Sequence, residues 1–211
     1  MTDTRNITVN DQSSIRFAGK KVIYADPFNI FGQTHDADLI FITHPHYDHF
    51  SSEDISRVSN AGTRFVVPGD MKSELDRIGV SEDHIYTIAA GEKMSIDGVG
   101  VEAVPAYNTN KAFHEKSKGW LGYVLTLGNT RYYIAGDTDG LEENTKIECD
   151  VAFIPIGGTY TMDAAEAASF VNRLHPACVI PIHYGSIVGK KADFEVFRAA
   201  VDDDIEVVRK L

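Results

Sequence analysis

The chain has 211 residues, 43% of them hydrophobic and 24% charged. That suits one well-buried domain over residues 1–211 and excludes a disordered chain. Lys and Arg number 20 against 31 Asp and Glu, a formal charge of −11, which repels phosphate backbones and argues against nucleic-acid binding.

No apolar run approaches the roughly 20 residues of a membrane span. The polar start Met1-Thr2-Asp3-Thr4-Arg5 leads into no apolar signal core, so a cytoplasmic protein is expected. Cys149 and Cys178 both border apolar runs and read as reduced, buried thiols.

Residues 7–9, 15–17 and 22–24 are short β-branched or aromatic runs separated by Asn10-Asp11 and Gly19-Lys20, the pattern of an antiparallel meander. Asp26-Pro27 breaks it. The continuous apolar run 39–42 reads as a strand buried on both faces. A short helix over 52–58, a strand over 64–67 and a helix over 70–78 that stops at Gly79 follow. Strands are predicted over 93–96, 99–104, 120–127 and 131–135, with Gly98 and Gly128-Asn129 as hairpin turns. Strand and helix then alternate: strands over 151–156, 179–182 and 205–208, helices over 163–174 and 193–201. Asp163 is the expected N-cap, with Glu166 as its capping-box partner. Two strand series with helical connections predict an α/β fold, a four-layer αββα sandwich.

Three candidate metal-ligand groups follow three of these strands. His44-Pro45-His46-Tyr47-Asp48-His49 follows 39–42, Asp137 follows 131–135, and His183 follows 179–182. Imidazole and carboxylate suit zinc, manganese or ferrous iron. Pro45 and Tyr47 interrupt any regular element, and a loop can turn close neighbours toward one point. Ligands collect at the carboxyl ends of parallel strands.

His44-Pro45-His46-Tyr47-Asp48-His49 resembles the H-x-H-x-D-H signature of the metallo-β-lactamase superfamily. Gly136-Asp137-Thr138 resembles its later bridging aspartate, and Ile182-His183-Tyr184-Gly185 its last histidine. Asp26-Pro27-Phe28, residues 155–162 and residues 181–185 look most like the small hydrolases related to ascorbate-6-phosphate lactonase. The resemblance implies one or two ions per chain, zinc first, with manganese or iron as alternatives. One ion would be held by His44, His46 and a third histidine, the other by Asp48, His49 and His183. Asp137 would bridge them. It implies hydrolysis of an ester-like bond in a small anionic molecule by a metal-bound hydroxide, with Asp48 orienting the nucleophile or accepting its proton. The substrate class spans phosphodiesters, lactones and phosphorylated lactones. The alternatives are a metal-binding or sensing module without catalysis, and a nuclease. The 45 residues between Asp137 and His183 leave no room for a nuclease cap.

The third histidine usually follows apolar-x-Pro-Ala-x, where this chain has Asn108. Three readings stay open: a weakened first site, a water in that position, or His114 supplying the imidazole. A weakened site ranks slightly first, because a lone loop histidine is more often solvated. Lys111, Lys116 and Lys118 crowd the same loop and suggest a flap that attracts an anionic substrate group, with Trp120 anchoring its far end. Gly157-Gly158 fits either an anion cradle at a helix start or a tight turn. His35, His84 and His175 read as surface residues, and Tyr160 and Tyr184 as pocket or core.

Overall fold

The computed structural model describes residues 3–211, so Met1 and Thr2 of the polar start lie outside the described residues. These fold as two compact units, 3–89 and 90–211. Each is built on a mixed sheet, as the α/β reading expects.

The first unit carries six strands in the order β1 (Ile7–Val9), β2 (Ile15–Ala18), β3 (Val22–Ala25), β4 (Leu39–Phe41), β5 (Arg64–Pro68), β6 (Ile85–Ile88). The first three form the predicted antiparallel meander, and β3 to β6 run parallel. Leu39, Ile40 and Phe41 are all fully buried, as their unbroken apolar run requires. Helix α1 (Ser52–Val58) is capped by Ser51, whose hydroxyl accepts from Asp54 N at 3.2 Å. Ile55 and Val58 of α1, with Met71 and Leu75, cover Tyr24, Ile40, Ile42, Phe65 and Val67.

Two expectations shift here. The helix predicted over 70–78 is a 3₁₀ turn, Gly69–Met71, running into α2 (Lys72–Arg77). Strand β6 was not predicted at all. It is a four-residue edge strand partly open to solvent, so it lacks the apolar run that marks β4.

The second unit carries seven strands: β7 (Lys93–Ile96), β8 (Val99–Pro105), β9 (Leu121–Leu127), β10 (Thr130–Ile134), β11 (Val151–Pro155), β12 (Cys178–Ile182) and β13 (Glu206–Val207), paired in sequence order. Strands β7 to β10 are antiparallel and β10 to β13 parallel. The two antiparallel steps between β8 and β10 give those strands one direction. The carboxyl ends of β8, β10, β11 and β12 therefore share one sheet edge.

Helix α3 (Ala164–Leu174) begins with the predicted capping box. Asp163 Oδ1 accepts from Ala165 N and Glu166 N, and Glu166 accepts from Asp163 N. Its Ala164, Ala167, Ala168, Phe170, Val171 and Leu174 face inward at helical spacing. With Phe194 and Phe197 of α4 (Asp193–Ala200), they pack on Ala152, Ile154 and Val179. Each such large side chain contributes about 1.5–3 kcal/mol when fully buried. Among the described residues no helix is long and apolar enough to cross a membrane.

Candidate metal centre

In the first unit the donors follow from parallel pairing. Asp26 leaves β3 and Thr43-His44 leaves β4 at the same edge, and Asp26 N extends the ladder to Phe41 O at 2.9 Å. The Asp26 carboxylate is wholly buried. It accepts from Thr43 N (2.8 Å), from Thr43 Oγ1 (2.7 Å) and from His49 Nδ1 (2.7 Å). Burial pushes the Asp26 carboxyl up, and the bonds from His49 and Thr43 oppose that rise. Thr43 Oγ1 also lies 2.9 Å from His44 Nδ1.

The Nδ1 faces of His44 and His49 are thus engaged by supporting groups, which directs their Nε2 atoms elsewhere, an arrangement typical of metal-ligating histidines. The two rings lie 4.0 Å apart. His44 Nε2 is 3.0 Å from His46 Nδ1, and His49 Nε2 is 3.7 Å from Asp48 Oδ2. His44, Asp48 and His49 are buried, while His46 is half-buried.

In the second unit the shared edge gathers the loops after β8, β10, β11 and β12. Thr138 Oγ1 donates to Tyr107 O (3.0 Å), and Asp139 N donates to the same carbonyl (3.0 Å), locking the loop after β8 to that after β10. His114 Nε2 and His183 Nε2 each lie 3.3 Å from the same atom, Asp137 Oδ2, and all three side chains are buried. This corrects the solvated-loop expectation for His114: the residue is 4% exposed and its ring packs edge-on against Trp120, 5.5 Å between centroids. Both histidines and Asp26 adopt left-handed backbone, φ 56°, 56° and 45°. Such conformations cost about 1–3 kcal/mol and persist where surrounding structure imposes them.

Asn108 is buried too, and the nitrogen of its amide is engaged while Oδ1 accepts no hydrogen bond from the described residues. Nδ2 donates to Phe113 O at 2.9 Å and to Tyr160 O at 2.7 Å.

Among the described residues, then, are buried His and Asp groups of the kind that hold a metal ion. Their chemistry fits one. Two ligands about 2.0–2.1 Å from a tetrahedral zinc sit roughly 3.3 Å apart. The His–Asp separations of 3.3 Å match that spacing and exceed the roughly 2.7–2.9 Å of a good charge-assisted hydrogen bond.

The lysine loop differs from its reading as an open anion trap. Lys111 forms an ion pair with Asp139 and lies 3.9 Å from Glu166. Lys116 stacks over the Tyr107 ring at 4.7 Å and lies 3.9 Å from Glu143. Lys118 is exposed. Trp120 is buried at the loop's far end, as expected of an anchor.

The glycine pair follows from backbone packing. A Cβ on Gly157 would lie 2.2 Å from His183 O, so only glycine lets the loop after β11 pass the His183 backbone. Tyr184 is core; Tyr160 is half-buried and stacks edge-on with Phe113, 4.7 Å between centroids. His35 and His175 are exposed, and His84 is half-buried. The residues sequence reasoning missed are the supports Thr43 and the carboxylate of Asp26. Their signal was position alone, each directly after a parallel strand.

A family model described as a beta-lactamase superfamily domain matches residues 6–183. The chain is 33% identical over 208 residues to a UPF0173 metal-dependent hydrolase of Pyrococcus horikoshii, covering 90% of this chain and 89% of that one. A structure from Parabacteroides distasonis, proposed to be a metal-dependent hydrolase, superposes with TM-score 0.80 and 29% identity over 97% of this chain and 92% of its own. A proposed zinc-dependent hydrolase of the metallo-β-lactamase superfamily from Thermotoga maritima shares the fold, with TM-score 0.64 and 20% identity, covering 96% of both chains.

Proposed function

The chain belongs to the metallo-β-lactamase superfamily, among its UPF0173 metal-dependent hydrolases, and on that premise we propose that it hydrolyses an ester-like bond in a small anionic molecule at a two-metal centre. The proposed ligands are His44, His46 and His114 for one ion and Asp48, His49 and His183 for the other, with Asp137 shared. The observation that carries this is the pair of imidazole nitrogens converging on Asp137 Oδ2. It supports His114 as the third imidazole that the signature calls for, in place of a weakened site. Zinc is the proposed ion, with manganese and iron as alternatives suited to the same donors.

Ions held by these residues would polarise the scissile ester and lower the pKa of water toward neutrality. The chain's own residues do the rest. Asp26 and Thr43 fix the rings of His49 and His44. Asp48 is the residue proposed to orient the attacking water and take its proton. Because Lys111 and Lys116 already face carboxylates, the preference for an anion rests chiefly on the charge of the ions, with Lys118 adding an exposed cation. Phosphodiesters, lactones and phosphorylated lactones all fit this description. The stretch between Asp137 and His183 is used up by a 3₁₀ turn, β11, α3 and β12, which argues against a nuclease cap.

The test pairs metal content with turnover of an ester, lactone and phosphodiester panel. His114→Ala and His44→Ala are expected to lower metal content equally and to abolish turnover. Full metal content in His114→Ala would overturn the ligand assignment. Normal metal content in the native protein with no turnover across the panel would favour a sensing module.

A further inference from the structure

We propose that Asn108 is a positioning residue that clamps the loop carrying His114, and so sets the affinity of the metal site to which that histidine contributes. The inference rests on the reading of His114 as a ligand.

The geometry is a closed loop. The backbone N of Asn108 donates to His114 O at 2.8 Å, joining the two ends of the seven residues 108–114. Inside that ring the Asn108 amide bridges two carbonyls. Nδ2 donates to Phe113 O, one residue before the histidine, and to Tyr160 O, fifty-two residues away in the loop after β11. Two carbonyl acceptors at 2.7 and 2.9 Å determine which end of the amide is nitrogen. An NH₂ group has two hydrogens to give to two acceptors from one atom. Aspartate, serine and alanine cannot replace it.

The clamp has something to hold. His114 sits at φ 56°, a left-handed conformation uncommon outside glycine. Its ring is pressed between Trp120 and Asp137. Tyr160 O belongs to the loop that Gly157 threads past the His183 backbone. Asn108 thus references the His114 loop to the same strand edge that carries His183. Asn108 Nδ2 also lies 3.4 Å from His114 Nδ1, so the clamp is next to the ring itself.

The experiment uses the full chain with zinc and a competing chelator, and reads two signals. Trp120, the only tryptophan in the sequence, touches the His114 ring, so its emission reports loop order without metal or turnover. Asn108→Ala and Asn108→Asp are expected to weaken binding of one of the two ions by about 10–100-fold, the usual cost of losing a support behind a ligand. Both are expected to shift Trp120 emission in the metal-free protein. Asn108→Gln, which keeps the NH₂ group, is expected to recover part of both signals. Asn108→His is expected to weaken binding as well, because an imidazole cannot donate twice from one atom. Native affinity with native emission in Asn108→Ala and Asn108→Asp would overturn the clamp. Shifted emission with native affinity, alongside metal loss in His114→Ala, would also overturn it. Native affinity in His114→Ala would instead overturn the ligand reading, leaving emission as the test of the clamp.

Discussion

Asp26→Asn is the sharpest perturbation the first unit offers. Asparagine keeps the volume of the side chain and tolerates the left-handed backbone at φ 45°. It can still accept from Thr43 N through Oδ1, so the change falls on the other oxygen, which accepts from both His49 Nδ1 and Thr43 Oγ1. The carboxylate oxygen 2.7 Å from His49 Nδ1 becomes either a donor facing a donor or a neutral acceptor. A hydrogen bond to a charged group contributes about 1.5–3 kcal/mol, and at about 1.4 kcal/mol per decade that is one to two decades in affinity. The expected result is zinc binding weaker by about 10–100-fold, in line with the loss of a carboxylate behind a ligating histidine. Metal-free stability should fall by less, because burial pushes this carboxyl up and removing the charge relieves that cost. Competitive chelator titration measures the first quantity and urea unfolding of the metal-free protein the second. Zinc affinity within about twofold of native, in a folded variant, would refute the claim that Asp26 supports a ligand.

Burial pushes Asp139 up, but its bonds to Lys111 and Thr109 outweigh that and hold it below its ordinary value of 3.8. A carboxyl depressed in the folded state stabilises fully above its unfolded value and loses that contribution as pH falls through the folded one. The loop after β8 should therefore loosen only below about pH 4, and Lys111→Gln should move that transition upward, as read by hydrogen exchange of residues 108–118. The same variant should affect neutral and anionic esters alike, and a rise in KM confined to the anionic ester would return Lys111 to the role of substrate contact. Burial pushes Cys149 and Cys178 up to about 12, so alkylation at pH 8 should be slow in the native protein and rapid in denaturant. Cys178 is buried as expected, whereas Cys149 is only half-buried, and fast native labelling of Cys178 would contradict its burial.

The apolar runs of the sequence already marked nearly every strand and both long helices. Residues 39–42 and 179–182 are unbroken because both faces of β4 and β12 are buried. The capping box at Asp163 was legible because its two bonds link residues only three apart. The cluster of His and Asp at residues 44–49 was legible for the same reason of proximity. Strand β6 was not, since an edge strand with partly open faces carries no run to read.

His114, Asn108 and the lysines are another matter. Their roles depend on partners 23 to 52 residues away, and local pattern says nothing of such distances. The sequence shows a solvated basic flap with a histidine in it. The fold buries that histidine against Asp137, pairs Lys111 with Asp139, and ties Asn108 Nδ2 to the carbonyls of Phe113 and Tyr160. Local spacing determined the strands, the caps and the clustering of His44, His46, Asp48 and His49. The common direction of β8, β10, β11 and β12 decided the rest, because it brings loops far apart in the chain to a single edge.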